Sequence, residues 1–339
     1  MAMIDAMQER RSRPLGERLL RLIVTSFTVT AIVGVAAWYL WPIYDQKTSL
    51  WAAEAAFKSG NLEKADEILQ VYTHVHRHDS YGHFLYGQVL HRRNHYREAN
   101  DELSRALDLG MPREQVRREF GLLWATYDFE KARGALREEL EAHPDDIEVV
   151  QAMALGSAKA RLWEESEGYF NHWVEKRTDD IEPLLERATM LMDAGDFRKA
   201  MADFREILKR KPDNFRARLY LAHCLLGDAR LREAEDQLLI CRQLRSDSPE
   251  PLVDLAVCAM ERLDYTKANT LLTQALQLDP GSHVALTDLG NLQLIQKRYD
   301  LAVSTFRDVV RLYPMDKQAH LKLAQSRRFL GGNADEVRI

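Results

Sequence analysis

The chain has 339 residues, 46% of them hydrophobic and 29% charged, with a formal net charge of −5 at pH 7. Its 16 glycines, 10 prolines and 3 cysteines are too few for a collagen-like, low-complexity or disulfide-framework protein. Residues 1–21 hold Arg10, Arg11, Arg13, Arg18 and Arg21 against Asp5, Glu9 and Glu17, a charge of +2 that leaves −7 for the rest. So acidic a body is a poor candidate for nucleic acid, whose binding depends on neutralising phosphates.

The first predicted element is Leu22–Tyr44, which carries no charge over 23 positions. At about 1.5 Å per helical residue it can span a hydrocarbon core of about 30 Å. The arginines before it favour an amino end held in the cytoplasm, and Trp38, Tyr39, Trp41 and Tyr44 gather where aromatic rings prefer the membrane–water interface. A cleaved signal peptide is the alternative, with Val35-Ala36-Ala37 as cleavage site. The apolar run continues past that point, which favours an uncleaved signal anchor over residues 22–44, a cytoplasmic basic tail over 1–21, and the rest outside the cytoplasm.

Six of the eleven histidines fall within 74–95: His74, His76, His78, His83, His91 and His95. His91 and His95 have the i, i+4 spacing of a metal pair. His95, however, corresponds to Asp196 in the repeat described next, in a turn between helices, so a solvated hairpin end is the better expectation than a metal or pH-sensitive site.

Beyond the anchor the chain repeats itself with a period of 34. From Ala200 the step reaches Ala234, Ala268 and Ala302, and backwards Ser166 and Ala132; Ala99 and Ala65 follow after one step of 33. A second column holds Ala154, Ala188, Ala222, Ala256, Gly290 and Ala324; a third holds Phe129, Trp163, Phe197, Leu231, Tyr265 and Tyr299; a fourth holds Pro144, Pro212, Pro280 and Pro314. Small residues let two helices approach closely, and the aromatic three residues earlier fills the wedge at their turn. Gly195-Asp196-Phe197 reads as the break between two helices, since glycine takes a positive φ cheaply, and Pro212-Asp213 ends the second helix. Each copy is a helical hairpin that cannot bury its own apolar face, and stacked neighbours complete the core. Eight copies fit, at 46–79, 80–112, 113–146, 147–180, 181–214, 215–248, 249–282 and 283–316, followed by a single helix at 317–330 and a flexible tail at 331–339.

Cys224, Cys241 and Cys258 are spaced 17 and 17, with no CxxC for a zinc ribbon or haem attachment. They are read as small buried hydrophobes, a disulfide in an oxidising compartment being the alternative. The pairs Asp145-Asp146 and Asp179-Asp180 recur at one place in the repeat, which argues for helix capping rather than acid–base catalysis. No GxxxxGK[ST], GxSxG or HExxH occurs, and the repeats leave no segment for a catalytic domain; neither catalytic, metal nor cofactor residues are expected.

The succession Ala188, Phe197, Ala200, Phe204, Pro212, repeated as Gly290, Tyr299, Ala302, Phe306, Pro314, resembles the tetratricopeptide repeat (TPR) family over about 285 residues. The resemblance implies an all-α right-handed superhelical solenoid that binds a protein or peptide in a concave groove lined by the first helix of each hairpin. Transferred to this chain, the groove positions are Leu185 and Thr189; Arg216, Leu219 and His223; Glu250, Val253 and Val257; Thr287 and Asn291. Leu185, Leu219 and Val253 are expected to form an exposed apolar row, with charged residues such as Glu182 and Glu261 at its rim, the alternative being a superhelix tight enough for these side chains to pack on each other. The Lys/Arg and Asn clamp that some family members use for a carboxyl terminus is absent. The layout resembles membrane-anchored bacterial TPR scaffolds in envelope assembly, secretion or complex maturation. The alternatives are an accessory subunit of an enzyme complex, or a cytoplasm-facing adaptor if the anchor is inverted.

Overall fold

The computed structural model describes residues 48–331, and every regular element among them is a helix. The expected basic tail (1–21), the anchor Leu22–Tyr44 and all but Gly331 of the expected tail 331–339 lie outside the described residues. None of the described helices is long and apolar enough to cross a membrane.

Two units divide at Ala142/His143. In the first, α1 (48–58) pairs with α2 (Leu62–Val75), α3 (Ser80–Arg92) with α4 (Tyr96–Asp108), and α5 (Arg113–Trp124) with α6 (Phe129–Ala142). In the second, α7 (Ile147–Lys159) pairs with α8 (Trp163–Lys176), α9 (Glu182–Asp193) with α10 (Phe197–Arg210), and α11 (Phe215–Gly227) with α12 (Leu231–Leu244). The pairs α13 (Glu250–Glu261) with α14 (Tyr265–Leu278) and α15 (His283–Ile295) with α16 (Tyr299–Leu312) follow, and α17 (Lys317–Phe329) closes the unit alone. Helices this short are marginal alone and persist because neighbours bury their apolar faces. One such cluster in the first unit joins Phe84, Leu90, Leu103, Val116 and Leu123; one in the second joins Leu286, Phe306, Val309 and Leu323.

The small-residue columns are the helix contacts. Ala65, Ala99, Ala132, Ser166, Ala200, Ala234, Ala268 and Ala302 are all fully buried. Ser166, the column's exception, donates its hydroxyl to the carbonyl of Ala154 at 3.0 Å, so a polar atom is tolerated where an alanine would touch the same helix. The second column extends upstream through Gly121 and Gly87 to Ala53. At Gly121 a Cβ would lie 2.4 Å from the Leu136 side chain, so here even alanine is too large. The paired aspartates cap as expected: Asp146 accepts from the amides of Glu148 and Val149 at 3.1 and 3.3 Å, and Asp180 from Glu182 at 3.0 Å.

The turn within each hairpin departs from the expectation that glycine makes it. The left-handed residue recurs at one register position, as Gly60, Asn94, Arg161, Gly195, Ala229, Leu263, Lys297 and Gly331, and most of these carry a side chain. The next amide closes the turn on a carbonyl five residues back, as in Asp196 to Leu191 at 2.9 Å and Asp264 to Ala259 at 2.8 Å. Packing of both helices fixes this geometry and overrides the steric cost of a left-handed leucine.

The third hairpin is the exception. Eleven residues separate Gly121 from Ala132, where twelve separate Ala188 from Ala200 and Gly87 from Ala99. The missing residue is the left-handed one. The turn instead closes by Tyr127 N–H to the Trp124 carbonyl at 3.0 Å and Asp128 N–H to the same carbonyl at 2.7 Å. This is where the single step of 33 originates.

Candidate functional site

The first helices α9, α11, α13 and α15 carry the residues assigned to the groove. Glu182 starts α9, Arg216 lies one residue into α11 and Glu250 starts α13; all three are exposed. The apolar row is not. Leu185, Leu219 and Val253 are only 5%, 7% and 5% exposed, and Thr287 has a buried hydroxyl. This corrects the expected exposed row: three residues along a 3.6-residue helix is less than a full turn, and this close to the interface it points a side chain into the neighbouring helix. Thr189, His223, Val257 and Asn291 are half-buried, and Thr189 returns its hydroxyl to the Leu185 carbonyl at 2.8 Å.

Four residues on from Glu182, Arg216, Glu250 and Val284, rather than three, the half-buried residues are Glu186, Tyr220, Asp254 and Asp288, none of which was assigned from the sequence. The i, i+4 spacing on the same helices was the signal that would have found them. Together with Glu182 and Glu250 they make this face acidic. The Arg216 guanidinium sits over the Tyr220 ring, 5.4 Å from its centroid, and 3.8 Å from Glu186. His223 Nε2 lies 2.7 Å from Asp254 Oδ2 on the next repeat. Burial works against a charged His223, but the hydrogen bond and charge of Asp254 outweigh it and raise the imidazole. Glu186 is raised mainly by burial, against Arg216 and with the help of Glu182. Asp288 is raised by burial and then by the charge of Asp254.

The histidine cluster of the first unit does not share one face. His91 lies near the end of α3, while His95 precedes α4 as its cap residue. His83 is buried with Nδ1 2.5 Å from Glu102 Oε2 and Nε2 3.2 Å from the Arg77 carbonyl, so neither nitrogen is left for a metal. It borders a polar cleft of about 510 Å³ that His74, Arg77 and Arg105 also line. Among the described residues no group of three or more His, Cys, Asp or Glu is placed to hold a metal ion. Cys224, Cys241 and Cys258 are free and buried, and burial pushes each thiol up to about 11, away from the reactive thiolate.

Paired antiparallel helices in sequence order, with small residues at each contact and a repeating left-handed turn, define a helical-hairpin repeat protein. Residues 191–239 and 259–326 match the tetratricopeptide repeat family. These two segments carry tetratricopeptide repeats. The fold of the chain is similar to that of yeast Tom70, with a TM-score of 0.54 at 17% identity over 79% of this chain. The chain spans 60% of that Tom70 structure's length. It is also similar to a tetratricopeptide repeat protein from Parabacteroides merdae ATCC 43184, with a TM-score of 0.52 at 14% identity over 74% of this chain and 98% of that one. TPR proteins mediate protein–protein interaction, and the likeness to these two is one of fold.

Proposed function

We propose that this chain is a membrane-anchored TPR scaffold whose first-helix face on α9, α11, α13 and α15 holds a basic segment of a protein partner. One observation carries the reading: Glu182, Glu186, Glu250, Asp254 and Asp288 gather on this face, where Arg216 lies beside Glu186 and His223 bonds Asp254, and burial already raises Glu186 and Asp288. A lysine- or arginine-rich segment would supply the missing positive charge, giving orientation and rate of encounter as well as affinity. The uncharged run Leu22–Tyr44 supports anchoring, and the arginines before it support a cytoplasmic amino end with the repeats outside, in the bacterial inner membrane. A role in envelope assembly, secretion or complex maturation fits that placement.

Photo-crosslinking residues placed in cells at Glu186, Asp288 and, as a control, Glu138 test the groove. Adducts at the first two positions should map to partner peptides rich in lysine and arginine. Adducts to acidic or apolar segments, or adducts at Glu138 alone, reject it. Alkaline phosphatase and a cytoplasm-dependent fluorescent protein, fused separately after Ile339, test the topology; fluorescence without phosphatase activity rejects it.

A further inference from the structure

The shortened turn of the third hairpin forms one wall of a cavity of about 750 Å³ within the first unit, a volume typical of small-ligand sites. Tyr96, Arg97, Asn100 and Asp101 reach it from α4, at the i, i+1, i+4 and i+5 positions that share one helix face. Trp124, at the end of α5, and Tyr127, in the turn, complete three aromatic walls. Tyr127 is 54% exposed, in the turn that lacks the left-handed residue of the other hairpins.

The chemistry of the lining narrows the ligand. Arg97 and Asp101 cancel in charge, and Lys131 is matched by Asp128 at 2.9 Å, so no net charge calls for an ionic ligand. The side chains of Arg97, Asn100 and Asp101 make no hydrogen bond or ion pair among the described residues, leaving donors and acceptors together beside the aromatic faces. Tyr96 and Tyr127 pack on each other, tilted by 43° with centroids 6.2 Å apart, and so offer no parallel slot for a flat ring. A puckered, uncharged ring with one C–H face and a rim of hydroxyls meets all three conditions. Its polarised C–H groups face the negative aromatic surfaces, while its hydroxyls take both donors and acceptors.

We propose that this cavity binds a neutral saccharide, with Tyr127 and Trp124 as platform and Asn100, Asp101 and Arg97 as hydroxyl partners. This site is separate from the partner-binding face on α9–α15 and does not depend on it.

The test uses the full-length protein in a detergent without a sugar headgroup. Saturation-transfer NMR is run with maltotriose, cellotriose and the N-acetylglucosamine trimer, and with N-acetyltyrosinamide as a stand-in for a partner's aromatic side chain. At least one trisaccharide should receive saturation at its ring C–H protons. Tyr127→Ala should weaken that binding about fivefold or more, while Trp51→Ala, which removes another exposed aromatic elsewhere, should keep it. Should Tyr127→Ala lose its helical circular dichroism, Asp101→Asn at an exposed position takes its place, with the same expected weakening. The proposal is overturned if no trisaccharide binds, if binding survives both substitutions, or if N-acetyltyrosinamide binds more tightly than every trisaccharide.

Discussion

The turn of the third hairpin, Trp124–Asp128, and that of the seventh, Arg262–Asp264, join helices of the same kind by different means. In the seventh, Leu263 sits at φ 63° and the amide of Asp264 closes on Ala259 at 2.8 Å. In the third, that residue is missing, no residue takes a positive φ, and Tyr127 is carried outward. The helices still pack: Gly121 and Ala132 remain at the contact, with Leu136 filling the space that a side chain on Gly121 would need. Helix contacts, therefore, and not turn chemistry, hold the register. The turn is free to change when it costs the contact nothing, and the one place where it does change has a cavity beside it.

The largest test of that contrast attacks the contact. Gly121→Leu should destabilise by about 3 kcal/mol and Ala268→Leu by about 1–3 kcal/mol, read from chemical or thermal melting. A melting curve unchanged by Ala268→Leu would refute the assigned register. Next come the turns, where one substitution should act in opposite directions. Leu263→Gly relieves a left-handed side chain that is 70% exposed and gives up little packing, so it should stabilise by about 0.5–1 kcal/mol. Tyr127→Gly has no such strain to relieve and should destabilise by about 1 kcal/mol through added freedom of the unfolded chain. Equal signs at the two sites would show that the turns are equivalent after all.

Smaller still is the effect of restoring the missing residue. A glycine inserted after Tyr127 recreates the twelve-residue spacing and the left-handed position, and stability should move by less than about 1 kcal/mol. A large loss would mean that the short turn is itself needed for packing. The smallest expected effect is electrostatic. Asp288 is raised in the folded state by burial and Asp254, so the stability it contributes is present below its unfolded pKa and lost as pH rises through the folded value. At pH 7 its charge is a burden. Asp288→Asn should raise the melting temperature there, and the gain should fade below about pH 4. A gain that persisted at low pH would place its origin elsewhere.

The period of 34 was legible because burial at a helix contact admits only small residues, and that constraint is written directly into Ala200, Ala234, Ala268 and Ala302. Hairpin order, the capping role of Asp146 and Asp180, and the burial of the cysteines followed from the same periodicity. The groove was only partly legible. Leu185, Leu219 and Val253 satisfy the apolar pattern of a binding row and of a core equally well, and the facing helix decides between them by covering them. Glu186, Asp254 and Asp288 are charged positions like many others in the sequence, and only burial distinguishes them. The left-handed turn was visible at Gly195, yet at Leu263 and Lys297 local preference points the other way and two packed helices overrule it. Tyr96 and Tyr127 lie 31 positions apart in the chain, and nothing in either segment alone says that their rings meet. The sequence by itself determined the repeat, its register and its contacts, because those depend on side-chain size at fixed spacing. Tertiary structure alone decided which faces stay open and which aromatic and charged groups converge, because exposure belongs to the packed neighbour and not to the residue.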